Sequence, residues 1–221
     1  MSTQPGLFLT VEGIEGAGKT THARLLVRAL EACGRPSCLT HEPGGGGPVG
    51  EALRALLKDP AHWREMQLAE VFLYAAARVQ HLESVVLPAL AAGQVVVCDR
   101  YLDSTRAYQG YGRGRPLETI ESLHAIPPLD RRPDRTILLD VDPAVGLGRA
   151  RRRAATDKPG YDDENLAFFH RVRDGFRAVA RQHPERVRVV QAAENIAAVH
   201  RDIIAAVEDL FPGLTPLEDA R

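Results

Sequence analysis

The segment Gly13-Ile14-Glu15-Gly16-Ala17-Gly18-Lys19-Thr20 constrains the fold of this chain more than any other feature, because of what stands on either side of it. Residues 7–12 before it are apolar up to a terminal glutamate and read as a buried strand. Residues 20–33 after it carry apolar positions at helical spacing and stop at Gly34. A strand that turns through glycines directly into a helix opens a parallel α/β unit. The glycines let successive N–H groups curl inward, and the helix N-terminus adds partial positive charge, so the turn suits phosphate oxygens. In that context G-x-x-x-x-G-K-T reads as a cradle for a nucleoside triphosphate. Lys19 can reach the β- and γ-phosphates, and the Thr20 hydroxyl can ligate Mg2+.

The same alternation continues down the chain. Strands are predicted over 37–41, 94–98, 135–140 and 187–190. Helices are predicted over 49–58, 66–92 with a break at Pro88, 117–124, 143–155, 165–182 and 196–210. Five strands alternating with helices imply one parallel sheet covered on both faces, since parallel neighbours need crossover connections. At 221 residues this suits a single domain over 1–211, with a frayed tail over 212–221. The 28 basic and 29 acidic residues give a net charge of -1, which argues against a nucleic-acid binder held by a basic surface. An anionic ligand must then be met by local arginines. Cys33, Cys38 and Cys98 lack metal-ligand spacing and read as plain thiols of a reducing compartment. Neither a signal peptide nor an apolar run of about 18 residues is present, so a cytoplasmic protein without membrane contact is expected.

A phosphate cradle leaves open what is done with the nucleotide. A small-molecule kinase, a GTP switch and an ATPase module of a larger machine all use one. The N-K-x-D segment that reads guanine is absent. Val95-Val96-Val97-Cys98-Asp99 has the form of the apolar strand ending in an acid that an ATPase also carries. A carboxylate at that strand's C-terminal end faces the ligand crevice of an open α/β sheet, so Asp99 can hold Mg2+ through water. Beside it, Arg100 offers a two-pronged fork for a second phosphate, which an acceptor monophosphate requires and a simple ATPase does not.

Taken together, residues 12–21, Glu42-Pro43-Gly44-Gly45, Tyr74-Ala75-Ala76-Ala77-Arg78, Asp99-Arg100-Tyr101 and Ala107-Tyr108-Gln109-Gly110 resemble the thymidylate kinases, in that family's order and spacing, from about Leu7 to Leu210. The resemblance implies a nucleoside monophosphate kinase fold, a homodimer, and Mg-ATP-dependent phosphorylation of thymidylate. A related kinase with another acceptor is the alternative. ATP would be held by Gly13, Ile14, Glu15, Gly16, Ala17, Gly18, Lys19, Thr20 and Thr21, with Arg149 against the adenine. The acceptor would meet Glu42 and Pro43, with Arg54 and Arg100 near its phosphate and Arg78 at its base edge. Ser104, Thr105 and Gln109 would line the thymine pocket, with Tyr108 and Glu15 by the deoxyribose. Tyr74 stands where most members place a phenylalanine that stacks on the base.

In-line phosphoryl transfer needs positive charge near the moving group, and this phosphate loop carries no arginine. Gly148-Arg149-Ala150-Arg151-Arg152-Arg153 supplies four where the family's lid begins, and a lid over about 149–164 is implied, with Arg153 as the transition-state contact beside Lys19, Arg100 and Asp99. Two departures stand out. Asp157-Lys158-Pro159-Gly160-Tyr161-Asp162 lacks the arginine usual in this lid, and Gly46-Gly47 replace the threonine that commonly follows Glu-Pro-Gly-Gly.

Overall fold

The computed structural model describes residues 5–59, 62, 66–154, 166–193 and 195–217, the side chains of Arg153 and Ala154 excepted. Five parallel strands form one sheet: β1 (Leu7–Glu12), β2 (Ser37–His41), β3 (Val95–Asp99), β4 (Arg135–Asp140) and β5 (Val187–Gln191). Their order is β2-β3-β1-β4-β5, with Val11 beside Asp99 on one side and Ile137 on the other. The chain therefore leaves β1 toward one edge of the sheet and leaves β3 toward the other. The loops after these neighbouring strands part, and a crevice opens at their C-terminal ends.

Residue alternation along β1 serves the two faces separately. Leu9 and Val11 join the larger core with α1 (Lys19–Ala32), Phe169 and Val172 of a long helix over 166–182, and Ile203 of the last helix. Phe8 joins a second core with Val96, Cys98, Leu82 and Leu102. Thr10 and Glu12, on the Phe8 side of the pleat, put polar groups into the layer beneath the crevice. Helices on both faces match the pattern expected of a fully buried parallel sheet.

Between β2 and β3 run α2 (Gly47–Lys58), α3 (Ala69–His81), a π-helical turn at Leu82–Val86 and α4 (Leu87–Ala91). The break expected at Pro88 does not occur there. Pro88 lies in the first turn of α4, where its missing N–H is harmless, and the widened turn just before it absorbs the lost helical bond. After β3 come α5 (Leu102–Thr105) and a second π-helical segment, Arg106–Gly112, neither of them marked by hydrophobic period. Helices α6 (Leu117–His124), α7 (Pro143–Ala154), α8 (Leu166–Gln182) and α9 (Ile196–Ala205) follow. Asn195 caps α9 through its side chain, which accepts from the Ala198 N–H at 2.9 Å. The segment expected to fray is anchored as far as Leu217. Leu214 is buried, and the Leu217 N–H donates to His200 Nε2 at 3.3 Å. No helix among the described residues is long and apolar enough to cross a membrane.

Candidate active site

The loop after β1 is shaped by close packing as well as by phosphate chemistry. Gly16 has φ of 69°, and a Cβ there would fall 1.9 Å from the Gly146 carbonyl oxygen, so the loop rests directly on α7. Gly18, also left-handed at φ 93°, starts α1 without a side-chain cap, which leaves the first helical N–H groups open to an anion. Lys19 is buried and donates from Nζ to the Ile14 carbonyl at 2.8 Å. Burial and then Arg100 push its pKa down to about 8. Thr20 Oγ1 donates to Asp99 Oδ2 at 2.5 Å. One hydroxyl and one carboxylate, both hard oxygen donors beside a phosphate loop, suit Mg2+, which favours few protein ligands and completes its shell with phosphate and water.

Across the crevice stands Arg100, whose backbone is left-handed at φ 71°. Its Nη1 donates to the Gly13 carbonyl at 3.1 Å and to Ser104 Oγ at 3.2 Å. Its Nη2 donates to Glu15 Oε1 at 2.7 Å and to the Tyr108 hydroxyl at 3.0 Å. Tyr108 in turn donates to Glu15 Oε2 at 2.5 Å. Burial alone would weaken the guanidinium's hold on its proton, but Tyr108, Glu15 and Asp99 raise its pKa above the usual arginine value.

Further along the wall Arg78 is fully buried with each nitrogen directed. Nε donates to Glu42 Oε2 at 2.8 Å, Nη1 to His124 Nε2 at 3.0 Å and Nη2 to Thr105 Oγ1 at 3.0 Å, while the guanidinium lies 5.1 Å over the Tyr101 ring. Arginine can only donate, so His124 presents a bare Nε2. Burial and then Arg78 depress the His124 pKa to about 2, which keeps that ring neutral. Burial would raise the Glu42 pKa, but Arg78 and His81 outweigh it and hold the carboxylate ionised. His81 Nδ1 donates to Glu42 Oε1 at 3.0 Å and its Nε2 meets Thr40 Oγ1 at 2.7 Å. Gln109 is held by Glu70 at 3.0 Å.

These groups share one cleft of about 610 Å³, a size usual for small-molecule sites. It is lined by Glu15, Gly16, Gly18, Lys19, Thr20 and Thr21 on the loop side, and by Glu42, Pro43, Arg54, Tyr74, Arg78, Asp99, Arg100, Ser104, Thr105, Tyr108 and Gln109 on the other. Every one of them was expected from the sequence. Gly13, Ile14 and Ala17 shape the loop without lining the cleft. Arg54 donates to the Pro43 carbonyl. Arg149 lies outside the lining, with its guanidinium on the carbonyls of Ala192 at 2.6 Å and Ala193 at 2.9 Å, where it ties α7 to the segment after β5. Arg151 and Arg152 are exposed on α7. The Arg153 side chain and the lid segment that contains Lys158 lie outside the described residues.

Arg24, His41, Lys58 and Tyr101 also line the cleft and were not expected as site residues. Lys58 had a signal, since it stands one helical turn beyond Arg54 on the same face. His124 had none, because α6 reads as an ordinary amphipathic helix. Glu12, beneath Arg100, belonged to a quoted motif but carried no expected role.

The sequence model of the family described as thymidylate kinase matches residues 11–203. A thymidylate kinase of Solidesulfovibrio magneticus is 46% identical over 210 residues, 93% of this chain and 100% of that protein. One of Desulfosudis oleivorans is 44% identical over 207 residues, 91% of this chain and 96% of that protein. The crystal structure of thymidylate kinase from Ehrlichia chaffeensis superposes with a TM-score of 0.71 at 34% identity, covering 92% of this chain and 99% of that one. With the phosphate loop and the second arginine-lined wall facing each other in a five-stranded parallel sheet, the chain belongs to the thymidylate kinase family.

Proposed function

We propose that the protein moves the γ-phosphoryl group of ATP onto thymidylate, giving thymidine diphosphate. The observation that carries this reading is the presence of two anion-binding walls in one cleft. Lys19 and Thr20 stand on one side, and Arg54, Arg78 and Arg100 on the other. An ATPase needs only the first wall. A kinase for a monophosphate needs both, with the two phosphates brought in line.

Lys19 draws the transferred group's charge, and Arg100 with Arg54 holds the acceptor phosphate. Mg2+ would be held by Thr20 and Asp99, the latter through water, and would supply charge neutralisation on the donor phosphates. Arg78 keeps N–H donors for a base edge, because each of its terminal nitrogens carries two hydrogens and gives one to the protein. The Glu15–Tyr108 pair sits by the sugar, where an acid disfavours a ribose hydroxyl, and Tyr74 offers a ring face to the base. Arg153 and its neighbours supply the remaining positive charge from the lid, and Arg149 borders the adenine. The working form is a homodimer in the cytoplasm, and apolar side chains left exposed on α2 and α3 support the assembly.

A coupled assay of ADP release tests the reading, with ATP, magnesium and each of thymidylate, deoxyuridylate, uridylate, cytidylate, adenylate and guanylate in turn. Rapid release with thymidylate is expected, with deoxyuridylate a weak second. Release with a different monophosphate would transfer the reading to another acceptor, and none in any well would overturn it.

A further inference from the structure

The turn that presents Arg100 is held from beneath by a carboxylate for which the cleft itself gives no use. Glu12, the last residue of β1, is 0% exposed. Its Oε1 accepts from the Tyr101 N–H at 2.8 Å and the Ser104 N–H at 3.2 Å, and its Oε2 accepts from the Ser104 hydroxyl at 2.6 Å. All three groups facing it are donors, so the site is built for the ionised form. Burial, followed by nearby Asp103, pushes the Glu12 pKa up to about 7, which means the charge is held there at a cost to folding.

The use lies one bond further on. A serine hydroxyl can donate one hydrogen bond, and Ser104 donates it to Glu12. Its lone pairs are thereby free for Arg100 Nη1, which donates to Ser104 Oγ at 3.2 Å. Arg100 needs such support. Its left-handed backbone is a conformation that a residue with a side chain keeps only when its surroundings hold it. Strand β1 supplies that hold twice, through the Val11 carbonyl, which accepts the Arg100 N–H at 3.0 Å, and through Glu12 at the start of α5. From the other side, the Cys98 thiol donates to the Arg100 carbonyl at 2.9 Å.

We propose that Glu12 is a positioning residue for the acceptor. By accepting the Ser104 hydroxyl's hydrogen bond it sets the polarity of that hydroxyl, and through it the aim of the Arg100 guanidinium at the acceptor phosphate. The inference rests on the reading of Arg100 as the acceptor's phosphate ligand.

The test is Glu12→Gln. The amide oxygen still accepts the two backbone N–H groups, but the NH2 group now points at Ser104 Oγ, and the hydroxyl proton loses its acceptor. The expected signature is a rise of about tenfold in the thymidylate KM, the loss of one charge-assisted hydrogen bond, with the ATP KM unchanged and the melting temperature not lowered. Ser104→Ala removes the relay and leaves the carboxylate its two backbone N–H donors, and it is expected to give the same signature. The double variant is expected to be no worse than the poorer single one, since both act through one path. A thymidylate KM left at the parent value in Ser104→Ala, additive effects in the double variant, or equal losses for both nucleotides would each overturn the inference. A parent enzyme inactive on thymidylate would overturn the functional reading and this inference with it.

Discussion

Lys19 is the cleft's main donor-side cation, and its pKa of about 8 means that burial already strains its charge before any nucleotide arrives. Lys19→Ala is expected to lower turnover about a thousandfold with the melting temperature preserved, read by the ADP-release assay and a thermal melt. Arg78 differs because its guanidinium is part of the fold as well as the site. Arg78→Ala leaves the ionised Glu42 buried with only His81, so a loss of about 3–5 kcal/mol is expected in urea unfolding, together with loss of acceptor binding. Glu12 adds a pH dependence. Its folded pKa of about 7 stands above the ordinary 4.5, so between those pH values the folded state holds more protons than the unfolded one. The contribution to stability therefore falls as pH rises from 4.5 to 7 and is flat above. Urea melts across that range are expected to show the parent losing about 3 kcal/mol relative to Glu12→Gln, and parallel curves would contradict the assignment. The phosphate loop, Asp99 and Arg100 were legible from the chemistry of their own motifs, and the rest of the acceptor wall only through the family resemblance. His124 and Arg24 were not: His124 reaches Arg78 only through the packing of α6 on α3, and Arg24, one turn beyond Thr20 on α1, belongs to no motif.

Strands and their neighbours were the most readable elements, because residues buried on both faces of a parallel sheet leave continuous apolar runs such as residues 95–98. The π-helical segment Arg106–Gly112 was hidden for the opposite reason. Its sequence, Arg106-Ala107-Tyr108-Gln109-Gly110-Tyr111-Gly112, serves the cleft on one side and α8 on the other, and a widened turn breaks the 3.6-residue period. Glycines set its fit to α8. A Cβ on Gly112 would meet Phe168 at 2.7 Å, and one on Gly175 would meet Tyr111 Cβ at 2.8 Å. The two elements thus approach backbone to side chain from both directions, with Phe168 and Phe176 edge-on to Tyr108. Gly175→Ala should gain helical propensity in α8 yet lose on balance, because the Tyr111 Cβ cannot move without its backbone. A net destabilisation of about 1–3 kcal/mol in urea melts is expected, with a higher thymidylate KM as Tyr108 and Gln109 are displaced. A variant more stable than the parent, with unchanged KM, would show that this contact has slack.

Across the molecule, the acceptor wall is built on helices that also carry apolar side chains into water. Leu68 is 41% exposed and Phe72 50%, one helical turn apart at the start of α3, while Val49 and Leu56 are exposed at 56% and 38%, two turns apart on α2. The two helices pack against each other, so the exposed stripes belong to one structural unit. The same α3 turns Tyr74 and Arg78 toward the cleft. A homodimer that covers these stripes would therefore brace the acceptor wall from behind, and its loss should be felt by the acceptor more than by ATP. Phe72→Glu places a charge in the centre of the stripe without disturbing the core. It is expected to shift sedimentation from dimer to monomer at micromolar concentration and to raise the thymidylate KM several-fold while the ATP KM stays near the parent value. A variant that still sediments as a dimer would move the interface to another face. One that becomes monomeric with both KM values unchanged would separate assembly from acceptor binding, and the wall formed by α3 would then be rigid on the strength of Glu42, His81 and Arg78 alone.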